Sequence, residues 1–179
     1  MFQSCHSPHD VAYWYADRGF PVELTYGRAL LQTSYNIGAV KMPREIATTI
    51  RRRIGADRQI PILAHTRNHR ETIVLVGPSR ARGGLLWLLD DFAKSEFDRH
   101  GICEAAAGTR VWLPMSDHTP GGWYWASPPT ETATALPPRN RVLRTALEVI
   151  GEQSASAATA ALKTGVPGSS TGELASGRR

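Results

Sequence analysis

Residues 108–129, GTRVWLPMSDHTPGGWYWASPP, are the densest concentration of strand-forming and turn-forming side chains in the chain. They commit it to a β-sheet that another layer must cover. Val111 and Leu113 alternate with Arg110, Trp112 and Pro114; Trp123, Tyr124 and Trp125 form a second short run after a polar connection ending in Pro120, Gly121 and Gly122. The pattern predicts a β-hairpin. Aromatic and β-branched side chains facing each other across such a pair stabilise it, and their apolar area requires a partner layer. By the burial habits of tryptophan, Trp112, Trp123 and Trp125 belong to a core or a sheet face before they belong to a base-stacking platform.

The rest of the chain supplies that layer. Residues 8–18 read as a helix with Val11, Ala12 and Tyr15 on one side, Asp10 available as N-cap and Gly19 as the stop. A short strand follows at 20–24, then a polar stretch, then an apolar run at 37–42 consistent with a buried strand. Pro43 suits the first position of a helix reaching Ile54, in which Ile46, Ala47, Ile50 and Ile54 share a face, Arg52 points opposite and Arg51 and Arg53 border the stripe. Gly55 ends it. Residues 60–65 and 72–77 predict two strands of an antiparallel hairpin. Leu85, Leu88, Leu89, Phe92 and Ala93 keep helical spacing in a second amphipathic helix, and a last helix uses Val142, Leu143, Ala146, Leu147 and Ile150 from about Arg139.

The expected fold class is α/β of the α+β kind, with a mixed sheet of five or six short strands and three or four helices in a single domain over residues 1–150. Residues 151–179 are mostly Ala, Ser, Thr and Gly with almost no large apolar side chains, and are expected to be a disordered tail in which the Ala-rich piece 155–163 flickers into helix without a partner to fix it. At 179 residues the chain can bury a core without staples. Cys5 and Cys103 are its only cysteines, which fits a reducing cytoplasm, and no apolar run approaches the roughly 20 residues of a membrane span. A cytoplasmic protein with no membrane partner is expected.

Charge is concentrated. The formal net charge is +5, yet residues 41–70 alone carry Lys41, Arg44, Arg51, Arg52, Arg53, Arg58, Arg67 and Arg70 against Glu45 and Asp57, an excess of +6. In one reading Arg44, Arg51, Arg52, Arg53, Arg58, Arg67 and Arg70 contact phosphates of DNA or RNA, releasing counterions. In the other, arginines in the last turn of a helix complement its dipole. The histidines and acids form no persuasive site. Cys5, His6, His9 and Asp10 lie at a terminus with no second half of a metal site; His65 and His69 fall on a strand end and a loop; Asp90 and Asp91 are about 100° apart on a helix and do not converge. There is no Gly-x-Ser-x-Gly elbow and no phosphate-binding Gly-x-x-x-x-Gly-Lys loop, so no cofactor is expected.

The opening AYWYADRGFPVEL resembles the start of the bifunctional DNA primase/polymerase N-terminal domain, and the segments GAVKMPREI, IPILAH, TIVLVGP, GTRVWLPM, GWYWASPP and LPPR resemble shortened actinobacterial proteins similar to that domain. The resemblance spans most of residues 10–147. It implies an acidic-x-acidic pair, a Ser-x-His motif and a later acid, which fall here on Glu96-Phe97-Asp98, Ser116-Asp117-His118 and Glu131. The order matches, but a helix end and a hairpin connection do not aim carboxylates at one point, and a domain without polymerase activity is expected. The leading expectation is a non-catalytic, nucleic-acid-associated or regulatory domain acting through the basic helix. Its rivals are a protein-interaction module with Trp123 and Trp125 as anchors for a protein partner, and a nucleotidyl-transfer enzyme using Glu96, Asp98 and His118.

Overall fold

The helix at the amino end shows how local sequence sets local structure. In a computed structural model, which describes residues 5–55, 59–68, 70–79, 91–115, 122–129 and 131–164, α1 (Pro8–Asp17) begins with a capping box. The Ser7 hydroxyl accepts from the Asp10 backbone N–H, and the Asp10 carboxylate accepts from the N–H groups of Ser7 and His6. Ser7, not Asp10, is therefore the N-cap; the acid takes the reciprocal position three residues in. These backbone donors, His6 first, lower the Asp10 pKa. Gly19 (φ 77°) closes α1 in a Schellman arrangement, with Gly19 N–H on the Ala16 carbonyl and Phe20 N–H on the Tyr15 carbonyl.

Among the described residues there are four α-helices and eight strands, and the chain is an α+β single domain. β1 (Val22–Thr25), β2 (Arg28–Gln32) and β7 (Arg110–Trp112) form a three-stranded sheet in the order β1-β2-β7. β3 (Gly38–Pro43), β4 (Ile62–His65), β5 (Glu71–Val76), β6 (Cys103–Glu104) and β8 (Trp123–Ser127) form a five-stranded sheet in the order β6-β3-β5-β4-β8. Every strand pairing is antiparallel, so two antiparallel sheets stand where one mixed sheet was expected.

Strand alternation explains the layering. In the five-stranded sheet Val40, Met42, Ile62, Val74 and Val76 point to one side, where α2 (Arg44–Ile54), Phe97 of α3 (Asp91–Arg99) and α4 (Arg139–Thr164) cover them. Ala39, Leu63 and Leu75 point to the other, against Ala29, Leu31 and Val111 of the three-stranded sheet and Val11 and Tyr15 of α1. Both faces are buried, which is why these strands read as nearly continuous apolar runs.

The predicted hairpin at 108–129 does not form. Its first arm, β7, pairs with β2 (Leu30↔Trp112), and its second, β8, pairs with β4 (Leu63↔Trp125), so the two arms lie in different sheets. The polar stretch after the first strand contains β2, which the sequence reading missed. Pro43 is the N-cap of α2 and the last residue of β3 rather than the first helical position. In the second amphipathic helix Leu85, Leu88 and Leu89 lie outside the described residues; Phe92 is exposed, and Ala93, Glu96 and Phe97 face inward. The last helix does not stop at Ile150 but runs on to Thr164, with residues 151–160 all exposed. No helix among the described residues is long and apolar enough to cross a membrane.

Candidate nucleic-acid interface

The basic helix is positioned by the sheet that precedes it. The β3–β5 ladder continues one step past Pro43, where the Arg44 N–H donates to the Arg70 carbonyl at 3.0 Å. Ile46, Ala47, Ile50 and Ile54 then bury one stripe of α2. Helical periodicity turns Arg44, Thr48, Arg51 and Arg52 outward, and all four are exposed. At 1.5 Å per residue, Arg44 and Arg51 stand about 10 Å apart along the axis.

Arg53, on the border of the stripe, has a different employment. Its guanidinium is hydrogen-bonded to the Glu152 carboxylate of α4. That bond raises the Arg53 pKa and lowers that of Glu152, and Glu148, one turn earlier, adds to the field at Arg53. Arg53, exposed like Arg51 and Arg52, is thus the arginine of the run that is joined to α4. Lys41 is likewise paired, with Glu71 at 2.8 Å, and the hydrogen bond raises its pKa. The sequence reading counted both as part of the charge focus because their partners are invisible at short range: Glu152 lies 99 residues from Arg53.

Arg67 and Arg70 are exposed in the connection between β4 and β5. The Arg67 N–H donates to His65 Nδ1, and the Arg70 N–H to Asn68 Oδ1, whose amide nitrogen in turn reaches Glu71. These bonds shape the turn and leave the guanidinium groups outside it. Arg58 lies outside the described residues. Arg44, Arg51, Arg52, Arg67 and Arg70 form no ion pair among the described residues, whereas Arg18, Lys41, Arg53, Lys94, Arg99 and Arg139 do. The backbone contact between Arg44 and Arg70 sets the first turn of α2 beside the β4–β5 connection, while Arg51 and Arg52 stand in the last turn of the helix.

Trp123 and Trp125, the predicted protein anchors, are half-buried and pack on the second core. Trp125 Nε1 donates to the Tyr15 hydroxyl at 2.8 Å, and that hydroxyl donates to the Pro114 carbonyl at 2.9 Å. Trp123 meets the His65 ring edge-on at 5.1 Å. Both rings are thereby tied to neighbours within the protein.

The acids implied by the family resemblance do not converge. Glu96 and Asp98 sit two residues apart on α3, about 200° around the helix. The Glu96 side chain is 11% exposed and accepts from Arg99 Nη1 at 2.5 Å, while Asp98 is in solvent. Glu131 is exposed and follows β8; Ser116, Asp117 and His118 lie outside the described residues. No group of three or more His, Cys, Asp or Glu able to hold a metal occurs among the described residues. No family model, curated protein or solved structure matches the chain.

Proposed function

We propose that the chain is a non-catalytic, nucleic-acid-associated domain, kin to the primase/polymerase N-terminal domain, that holds a phosphate backbone on the outer face of α2. The observation that carries this reading is the division of the arginine run. Arg53 is joined to α4, while Arg44, Arg51 and Arg52 point outward, and Arg70, whose carbonyl accepts from the Arg44 N–H, and Arg67 are exposed in the adjoining turn. A run serving only the helix dipole would be confined to the last turn; Arg44 in the first turn opposes the dipole there. The divergence of Glu96 and Asp98 supports the non-catalytic part, because two-metal chemistry needs carboxylates aimed at a common point.

Each phosphate neutralised adds about 0.9 to the slope of log affinity against log salt on duplex DNA and about 0.7 on single strands. The test is fluorescence anisotropy with labelled single- and double-stranded DNA and RNA at several salt concentrations. The Arg51→Ala/Arg52→Ala variant is expected to lower duplex affinity and to flatten the slope by about 1.8. Arg53→Ala is expected to flatten the slope less than Arg51→Ala or Arg52→Ala, since Glu152 competes with phosphate for that guanidinium. An unaltered slope in the double variant overturns the reading.

A further inference from the structure

A second surface carries aromatic rings and arginines together. In the three-stranded sheet Ala29, Leu31, Val111 and Leu113 face the core. Alternation therefore sends Arg28, Leu30, Arg110 and Trp112 to the opposite side. Leu30, paired with Trp112 across the ladder, is buried, yet 36% of Trp112 remains in solvent. The Arg28 guanidinium carbon lies 5.9 Å from the centroid of the Trp112 ring. Arg110, two residues before Trp112 on the same strand, is displaced from it by about 7 Å on the same face. Among the described strand residues Glu23, opposite Leu30 on β1, is the acid of this face, so with Arg28 and Arg110 the face is cationic.

At the end of the sheet beyond Arg28, the β1–β2 turn is made by Tyr26 (φ 50°) and Gly27 (φ 69°). Two successive positive φ angles define a type I′ turn, where Asn, Asp or Gly adopt the first position with less strain than a tyrosine. The Tyr26 ring is 97% exposed, so no internal packing compensates. Strain that brings no folded-state contact marks a position held for an external one.

We infer that the outer face of the three-stranded sheet is a stacking platform for single-stranded nucleic acid, with Trp112 and Tyr26 as ring surfaces and Arg28 and Arg110 as phosphate contacts. Exposed rings accept unpaired bases without regard to sequence, and flanking cations hold the strand. A duplex, whose bases are already stacked, gains nothing from the rings. The platform shares with the α2 proposal only the class of partner and uses none of its residues.

The test is binding of fluorescein-labelled dT20 and of a blunt duplex to the full chain and to Tyr26→Gly, Trp112→Ala and Trp112→Phe. Tyr26→Gly relaxes the turn and removes no internal contact, so its Tm is expected to hold or rise while its dT20 affinity falls. For each of Tyr26→Gly and Trp112→Ala the expected loss is about fivefold to a hundredfold. The salt slope should be unchanged, since no charge is removed, and duplex affinity should stay at the wild-type value. Trp112→Phe should recover most of the loss. Wild-type dT20 affinity in Tyr26→Gly and Trp112→Ala overturns the inference, as does an equal loss on duplex, or capture of a protein by this face with no binding of dT20. A flattened slope in Arg51→Ala/Arg52→Ala bears on the α2 reading alone, so either can fail without the other.

Discussion

Replacing Tyr15 by Phe is the perturbation that most directly tests how the two sheets are joined. Tyr15 is fully buried, and its hydroxyl lies between two elements of different sheets: it donates to the Pro114 carbonyl just after β7 and accepts from Trp125 Nε1 on β8. The substitution keeps the ring against Phe20 and Trp125 and deletes only the oxygen. Two hydrogen bonds of about 1 kcal/mol net disappear, and the buried Pro114 carbonyl is left unsatisfied at about 1–3 kcal/mol. The half-buried Trp125 indole can regain part of its loss from water. A destabilisation of about 2–4 kcal/mol follows. For a chain of this length it lowers Tm by roughly 4–15 °C. Urea unfolding followed by circular dichroism should show a lower midpoint at unchanged m. Trp125→Phe removes the donor alone and should cost less, and the double variant should fall short of additivity, because the two share one bond. Trp125→Phe should also leave nucleic-acid affinity unaltered. A Tyr15→Phe midpoint within about 0.5 kcal/mol of wild type would refute the reasoning.

Two further outcomes follow from α4. The Glu152 pKa is lowered by its hydrogen bond to Arg53, so the link is complete above the ordinary value of 4.5 and is lost as pH falls through the lower folded value; wild type should lose helical ellipticity in that acid range, and Glu152→Gln should show a smaller loss, the part that remains including the Asp10 cap of α1. Truncation after Gln153 removes a helical segment whose described side chains are all exposed, so Tm should be unchanged while ellipticity drops; a lower Tm would mean that the segment is packed.

How much of this was legible depended on whether a partner lay nearby in sequence. α2 could be read almost to the residue because its buried stripe, Pro43 and Gly55 are all local signals. The end of α1 was equally legible in Gly19, and Gly101 (φ 65°) repeats its arrangement after α3, with Gly101 N–H on the Asp98 carbonyl and Ile102 N–H on the Phe97 carbonyl. β2 escaped because Tyr26-Gly27 is not the Asn-Gly or Asp-Gly that announces a tight hairpin, and RALLQ has as much helical as strand character. Consecutive strands usually pair, and the hairpin at 108–129 failed on that rule: β7 and β8 find partners about 80 and 60 residues earlier. The helical tendency of residues 155–163 was legible, but their continuity with α4 was not, for a thermodynamic reason. Its Ala-rich residues need no core of their own, because the anchored turn up to Ile150 has already met the nucleation cost.

The same long-range pairing decides what the charge focus amounts to. The excess in residues 41–70 looks like one patch, but the fold pairs Lys41 with Glu71 and Arg53 with Glu152, and leaves Arg44, Arg51 and Arg52 exposed on α2, which covers one side of the five-stranded sheet. The three-stranded sheet lies against the other face, so Arg28, Arg110 and Trp112 look away from α2 with two sheets between them. With layers about 10 Å apart, the two cationic surfaces are separated by roughly 20 Å of packed core. A ligand engaging both must pass around an edge of the molecule, and a duplex, with a persistence length of about 150 base pairs, meets a bending cost on that path that it avoids by staying on one side. A flexible single strand meets no such penalty. If both proposals hold, two opposed surfaces, one made only of guanidinium groups and one that mixes them with rings, favour different forms of the same polymer: any phosphate backbone on the outer face of α2, and on the sheet the strand whose bases are free.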